Sequence, residues 1–196
     1  MITRPILFSG AMVRALLDGS KTQTRRALKV RCQEIGERDD GSLWPWSENP
    51  DTAADHWHAC PYGQPGDRLW VRETFCDLDD GEFEYRADGE CDPNVVPRWT
   101  PSIHMPRAAS RILLEIVSVR VERLQDISAA DAKAEGVRPD EVRQISCFGL
   151  GQKDRDTLRK EAAVRPYTAL WESINGTGSW QANPWVRVVE FKQVAP

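Results

Sequence analysis

The alternation of hydrophobic and polar positions predicts several short strands and a few helices. Residues 6–8 form an apolar run that predicts a strand, and the apolar positions of 12–17 fall on one face of a helix that Gly19 can end. Further strands are predicted at 27–30, 67–75, 83–86, 112–124 and 185–194. Strands of mixed spacing with few helices are typical of an α+β domain, which we expect to close into a small barrel.

Two helices are predicted in the second half of the chain. Ser128 and Asp131 have the spacing of a capping box, so a short helix begins there and ends at Gly136. A longer helix is predicted over 154–174, interrupted or kinked at Pro166. Loops are predicted over 20–26 and 138–153, and an irregular insertion rich in Trp, Pro, Gly and Asp over 31–66.

Length and composition describe an ordinary globular chain. With 196 residues, 40% hydrophobic and 29% charged, it can bury a core without disulfides or metal. No apolar run approaches the roughly 20 residues of a membrane span, and residues 1–10 lack a signal-peptide pattern. The five cysteines are scattered, with no CxxC pair, and are expected to be thiols. We therefore expect a cytoplasmic protein that makes no membrane contact.

The net charge of −4 hides a division along the chain. Six bases and one acid lie within 14–31, whereas seven acids and one base lie within 32–60 and eight acids and one base within 77–92. A second basic segment, 97–111, holds three Arg and no acid. Solvated surface charge explains such runs, but the arrangement also suits a compact pocket for a single nucleotide better than an extended duplex.

The segment that follows the first helix carries the candidate chemistry. Lys21, Thr22, Thr24, Arg25 and Arg26 supply a primary amine, two hydroxyls and two guanidinium groups within six positions. Such donors suit phosphate, and a desolvated lysine with a lowered pKa could act as the base for a nucleophilic threonine. A solvated basic loop is the alternative interpretation of the same residues.

This segment resembles a known family. The pattern Gly19-x-Lys21-Thr22-x-Thr24-x-Arg26 resembles the signature of ASCH domains, which are PUA-like β-barrels associated with RNA. The stretch Pro65-Gly66-Asp67-x-Leu69-x-Val71, the predicted helix at 127–137 and the strand at 188–192 resemble other elements of that fold, in the same order. The resemblance implies one α+β domain over 1–196, a small PUA-like mixed β-barrel with flanking helices. Its long loop insertions lie at about 31–64, 87–110 and 138–165.

Two longer stretches, 60–73 and 101–107, resemble larger phage and prophage members of the family, which implies a place in the host cytoplasm. In those members a Trp usually follows Arg107, where this chain has Ala108 and Ala109. One stacking contact of that group is therefore expected to be missing.

The resemblance also implies a catalytic set. A subgroup with Thr at the position of Thr24 is similar to bacterial amidohydrolases that remove the acetyl group from N(4)-acetylcytidine with a Lys, a Thr and a Glu. Lys21 and Thr24 match that motif directly, and Glu135 matches by its position in the short helix. Glu73, at the end of a predicted strand, is a competing carboxylate.

Further residues are candidates for substrate or nucleic-acid binding. They share a polar or aromatic side chain in a basic or loop segment: Thr22, Arg25, Arg26, Glu73, Trp99, His104, Arg107 and Arg111. His104 would contact phosphate or a base, or else hold a loop between two prolines. Trp44, Trp46 and Trp57 could stack bases, although packing of the insertion explains them equally well. Trp70, Trp171 and Trp185 are predicted to be core residues.

No metal or other cofactor is expected. His56, His58 and Cys60 are spaced unlike the usual structural zinc sites, although alternate residues of a strand can chelate.

Three functions remain open. The first is a hydrolase for an acylated cytidine, with ribonuclease activity as the second enzymatic choice. The second is a non-catalytic reader of RNA or modified bases. The third is a phage accessory protein that binds a host protein through its acidic insertion. RNA or a modified nucleoside is the expected partner, and the sequence predicts no oligomeric state.

Overall fold

The computed structural model describes residues 1–28, 34–49, 51–52, 54–78, 81–89, 98–137 and 152–195, without the side chains of 152–160 and 163. The α+β class is confirmed. In chain order the elements are β1 (Thr3–Leu7), α1 (Gly10–Leu17), β2 (Gln23–Ala27), β3 (Glu34–Glu37), β4 (Leu43–Glu48), β5 (Asp55–Trp57), β6 (Arg68–Arg72), β7 (Phe75–Asp77), β8 (Phe83–Tyr85), β9 (Leu113–Arg123), α2 (Ala129–Ala134), α3 (Gln152–Asn175) and β10 (Trp185–Val194).

The chain folds as two compact units made of non-contiguous segments. The first unit comprises Met1–Gly19, Cys60–Ser118 and Glu190–Pro196, and the second comprises Ser20–Ala59 and Val119–Val189. The long strands β9 and β10 begin in one unit and continue into the other. That the whole chain forms one barrel domain with insertions stays a prediction.

The first unit is built on β1, β6 and β9. β1 lies parallel to β6, with Thr3 opposite Arg68, and β6 lies antiparallel to β9, with Trp70 opposite Leu113. Alternate residues of β6 are fully buried, so Leu69 and Val71 point into the core while the residues between them are half-buried. Gly19, with a φ of +76°, follows α1 as expected for the residue that ends the helix.

In the second unit β10 is hydrogen-bonded between β9 and β2. The packed side chains at its centre come from β10, the segment before α2, α2 itself, and α3: Leu124, Ile127, Ala132, Val164, Tyr167, Trp171, Val186 and Val188. The capping box is confirmed, because the Ser128 hydroxyl accepts from the Asp131 N–H at 3.0 Å and the Asp131 carboxylate accepts from the Ser128 N–H at 3.2 Å. The cap fixes the residue at which α2 begins. Because the helix is only six residues long, the cap also determines the position of its last turn.

The prediction of an irregular insertion over 31–66 is wrong where β3, β4 and β5 lie, whereas residues 58–66 are turns and loop as predicted. β3, β4 and β5 form an antiparallel sheet, in which Trp46 lies opposite Trp57. Trp44 is buried and donates to the His58 carbonyl at 2.8 Å, and the Trp46 and Trp57 rings lie 6.4 Å apart. Packing within this small sheet therefore accounts for these rings. The Pro, Gly and Asp residues mask the strand pattern because they occupy the turns and the interiors of two strands, β3 with Gly36 and β4 with Pro45.

The other predicted elements agree with the structure to different degrees. The strands near 6–8, 67–75, 83–86, 112–124 and 185–194 are confirmed, although β6 ends at Arg72 and β7 follows separately. α3 is continuous through Pro166, so an interruption there is wrong, and the alternative of a kink stays a prediction. Of the predicted core tryptophans, Trp171 is buried, whereas Trp70 and Trp185 are half-buried. The predicted loop at 138–153 lies almost wholly outside the described residues.

Within the described part of the chain, no helix is both long and apolar enough to span a membrane.

Candidate functional site

The basic segment after α1 is a strand for most of its length. We predicted a loop over 20–26 and a strand at 27–30; the structure instead has β2 at Gln23–Ala27, while residues 29 and 30 lie outside the described range. Gln23, Thr24 and Arg25 are all buried, so both faces of β2 are covered. Charged side chains usually mark solvent-exposed positions, and the two Arg residues therefore concealed the strand.

Lys21, just before β2, meets Glu135, at the end of α2, although 114 positions separate them in sequence. Their backbones form a short antiparallel bridge, and the neighbouring Thr22 N–H donates to the Ala134 carbonyl at 2.8 Å. The Lys21 ammonium donates to Glu135 Oε2 at 2.9 Å and to the Glu135 carbonyl at 3.0 Å. The structure thus joins two of the three predicted catalytic residues in a buried ion pair.

Arg25 adds a second cation to Glu135. Its Nη1 donates to Glu135 Oε1 at 3.2 Å, and its Nη2 donates to Glu122 Oε1 at 2.6 Å. The Asp131 carboxylate lies 3.5 Å from the same Nη2. Because three carboxylates surround its buried guanidinium, Arg25 organises this cluster rather than presenting its charge to solvent.

Sequence reasoning did not place Glu122 and Asp131 in this cluster. Asp131 was recognised for its role in the capping box alone. Glu122 follows the buried Val121 on β9. Because successive residues of a strand point to opposite faces, this order indicates that Glu122 lies on the face opposite Val121. Arg120, on the same face of β9, donates to Glu122 Oε2 and Asp131 Oδ1, each at 3.0 Å, and links these carboxylates further.

Burial dominates the electrostatics of Lys21. Desolvation lowers the pKa of the amine because the charged form loses its hydration, and the nearby Arg26 and Arg25 lower it further. Contact with the Glu135 carboxylate acts in the opposite direction, but the net pKa lies below the usual value of 10.5. A buried amine of this kind can exchange a proton at a pH where a solvated lysine stays charged.

Thr24, the third predicted catalytic residue, is 1% exposed. Successive residues of a strand point to opposite faces, so Thr24 lies on the face of β2 opposite Gln23 and Arg25. Among the residues that the structure describes, no hydrogen bond joins Thr24 to Lys21 or Glu135. The structure therefore brings together Lys21 and Glu135 and places Thr24 on the adjoining strand. Of the neighbouring candidates, Thr22 is exposed and Arg26 is half-buried.

The competing carboxylate, Glu73, belongs to a separate cluster in the first unit. It is 1% exposed and forms a two-pronged pair with Arg111, at 2.9 and 3.0 Å. Arg111 also pairs with Asp88, with two contacts of 2.7 Å, and its guanidinium lies 3.9 Å from the centre of the Tyr85 ring. Desolvation lowers the Arg111 pKa, but the two carboxylates outweigh it and raise the net pKa above its ordinary value. Between the two carboxylates, it is Glu135 that pairs with Lys21.

The remaining predicted binding residues also lie in the first unit. Trp99 is half-buried, while His104 and Arg107 are exposed. The Arg107 guanidinium lies 5.9 Å from the centre of the Trp70 ring.

No group of three His, Cys, Asp or Glu side chains is arranged to hold a metal ion among the described residues. In the candidate zinc segment the His58 Nε2 lies 3.0 Å from the Ser47 hydroxyl, at hydrogen-bond distance, and the rings of His56 and His58 contact each other edge to face.

Comparison with known proteins yields one structural likeness to report. No protein-family model and no curated protein matches the chain. Among solved structures, an ASCH domain from Lactobacillus crispatus JV V101 is similar to it, with a TM-score of 0.41 and 13% identity over 100% of this chain and 81% of that chain. A likeness of this extent decides neither fold nor function. The resemblance to ASCH domains therefore rests on the sequence motifs.

Proposed function

We propose that this protein binds a modified nucleoside and removes the acyl group from an N(4)-acylated cytidine. The observation that supports this proposal is the buried contact of 2.9 Å between Lys21 Nζ and Glu135 Oε2. Two motifs that resemble parts of one amidohydrolase signature thereby meet across 114 residues. Buried ion pairs are costly to maintain for stability alone, which favours a functional reason for this one.

In the proposed first step Thr24 is the nucleophile. A threonine hydroxyl is weakly nucleophilic at neutral pH and needs an adjacent base, and Lys21 in its neutral form is suited to that role because burial lowers its pKa. The Thr24 oxygen bonds to the acyl carbon while its proton passes to Lys21 Nζ. Because Thr24 lies on the face of β2 opposite Arg25, this step requires the strand to rearrange on substrate binding so that the Thr24 hydroxyl comes within hydrogen-bond reach of Lys21.

The intermediate then collapses, and the bond between the acyl carbon and the exocyclic nitrogen breaks. The proton held by Lys21 moves to that nitrogen, so cytidine leaves as a neutral amine. Water, positioned by Glu135, hydrolyses the acyl ester of Thr24, releasing the carboxylic acid and restoring the hydroxyl. Arg25 keeps the Glu135 carboxylate in place through its contact of 3.2 Å.

The test is chromatographic detection of cytidine released from N(4)-acetylcytidine. We expect Lys21→Met to lower kcat by about 10²–10⁴-fold, the usual contribution of a general base. Thr24→Ala should abolish turnover, and Thr24→Ser should retain part of it. The matched controls are Lys133→Met, which removes an exposed lysine, and Thr168→Ala, which removes a threonine of α3.

Full activity of Lys21→Met would refute the mechanism. If Lys21→Met loses turnover while Thr24→Ala keeps full activity, Thr24 is not the nucleophile and no acyl-enzyme forms. Lys21 and Glu135 would then activate a water molecule that attacks the acyl carbon directly. A wild-type protein that binds the acylated nucleoside but releases no cytidine would be a reader. That function fits the cluster of satisfied ion pairs around Arg25.

A further inference from the structure

The half-buried face of β6 carries an aromatic ring that two guanidinium groups approach. Arg72 and Arg107 lie 5.3 and 5.9 Å from the centre of the Trp70 ring, within the range of a cation–π contact. Exposed Ile103 and His104 belong to the adjoining loop, and Ile103 is 58% exposed. We call these five residues the Trp70 patch.

The loop of the patch is held in place by its own contacts. Residues 102–104 form a 3-10 turn. Arg72, on β6, donates from its Nη2 to the Ile103 carbonyl of this turn. Met105, 1% exposed, anchors the next position in the core, and its sulfur accepts from the Glu73 N–H at 3.2 Å. A surface ordered before it binds loses little conformational entropy when a ligand arrives.

Two acidic side chains of the first unit pair with cations outside the patch. Glu73 is paired with Arg111, and Glu115 with Lys192 at 2.8 Å. Among the described residues, no carboxylate forms an ion pair with Arg72 or Arg107. The patch therefore combines uncompensated positive charge with exposed apolar surface.

We propose that the Trp70 patch binds single-stranded nucleic acid. Guanidinium groups beside an aromatic ring can donate their N–H groups to phosphate, and the exposed Ile103 beside half-buried Trp70 offers apolar surface to an unstacked base. Two guanidinium groups and one imidazole are too few for the extended basic face that a duplex needs. This proposal stands apart from the hydrolysis assigned to Lys21, because every residue of the patch lies in the first unit.

The test is fluorescence anisotropy with a labelled 12-residue oligouridylate, titrated at several salt concentrations. We expect the wild-type protein to bind and Arg72→Gln/Arg107→Gln to bind about tenfold or more weakly. The double variant should also reduce the slope of log K against log salt by about 1.4, since each phosphate contact to a single strand contributes roughly 0.7.

The control is Arg123→Gln/Arg165→Gln, which removes the same charge from exposed positions of the second unit. It is closely matched because Arg123 also rests on a tryptophan, at 4.3 Å from the Trp185 ring. We expect this control to bind like the wild type and to hydrolyse free N(4)-acetylcytidine as the wild type does, and oligouridylate binding is measured without the acylated nucleoside. Failure of hydrolysis in every protein would thus leave the binding result intact.

Three results would overturn the proposal: no binding of oligouridylate by the wild type, equal affinity and salt slope in the patch variant, or an equal loss in the control. Equal competition by oligoglutamate of the same charge would also overturn it, because the patch would then be a general anion site.

Discussion

Replacing Glu135 with Gln tests the buried cluster through stability. The Glu135 carboxylate receives Lys21 on one oxygen at 2.9 Å and Arg25 on the other at 3.2 Å, and it is 2% exposed. Glutamine removes the negative charge and places an N–H donor against two cations. Removal of one partner of a buried ion pair costs about 3–5 kcal/mol, and we expect a loss in that range.

The effect should be asymmetric between the two partners. Lys21→Met removes a desolvated ammonium and leaves the Glu135 charge compensated by Arg25, so we expect a cost of about 1 kcal/mol or less. In the Glu135→Gln variant Arg25 keeps the Glu122 and Asp131 carboxylates, whereas Lys21 loses the Glu135 carboxylate. In the double variant Lys21→Met/Glu135→Gln, the Lys21 ammonium is gone as well. The double variant should therefore be more stable than Glu135→Gln alone.

Urea unfolding followed by tryptophan fluorescence measures these differences. With a slope of about 2 kcal/mol per molar urea, Glu135→Gln should lower the midpoint by about 1.5–2.5 M, and Lys21→Met by about 0.5 M or less. A loss below about 1 kcal/mol in Glu135→Gln, or a larger loss in Lys21→Met than in Glu135→Gln, would refute the argument that Glu135 compensates two buried cations.

Three further predictions concern other parts of the molecule. Arg111→Met leaves the buried Glu73 carboxylate without its cation, which should cost about 3–5 kcal/mol and lower Tm by roughly 10 °C in calorimetry; an unchanged Tm would contradict this. Gly36→Ala places a methyl group 2.6 Å from Trp46 Cδ1, which should cost about 1–3 kcal/mol and shift the tryptophan emission, whereas a wild-type spectrum and midpoint would count against this packing. The pKa of Asp67 is held below 3.8 because backbone N–H groups donate to its carboxylate, so its stabilisation is complete above that pH and is lost as the pH falls through the lowered pKa. The stability difference between wild type and Asp67→Asn should therefore shrink in acid, and a difference that is constant from about pH 7 to pH 2.5 would contradict this.

Features that depend only on neighbouring residues in the chain could be predicted from the sequence. The capping box at Ser128 predicted the start of α2, and the alternating residues of β9 and β10 predicted long strands, because each depends on neighbours in the chain. The strand β2 was missed because Arg25 looks like a surface residue until its three carboxylate partners are known, and these come from β9 and α2.

The candidate site was predictable only in part for the same reason. Lys21 and Glu135 were identified through motifs, and their contact follows from the pairing of the segment before β2 with the end of α2. The roles of Glu122 and Asp131 depend on that tertiary pairing, so no local pattern could reveal them. The sheet β3–β5 was hidden because its strands are short and interrupted by Pro45 and Gly36.

The pH dependence of turnover tests most directly whether Lys21 is the base. A base must be neutral to accept a proton, so kcat/KM for N(4)-acetylcytidine should rise with pH through the lowered pKa of Lys21 and reach a plateau below pH 10.5. The residual activity of Lys21→Met should lack this rise, while Lys133→Met should retain it. The same rise in Lys21→Met, or wild-type activity that falls over this range, would contradict the assignment of Lys21 as the base.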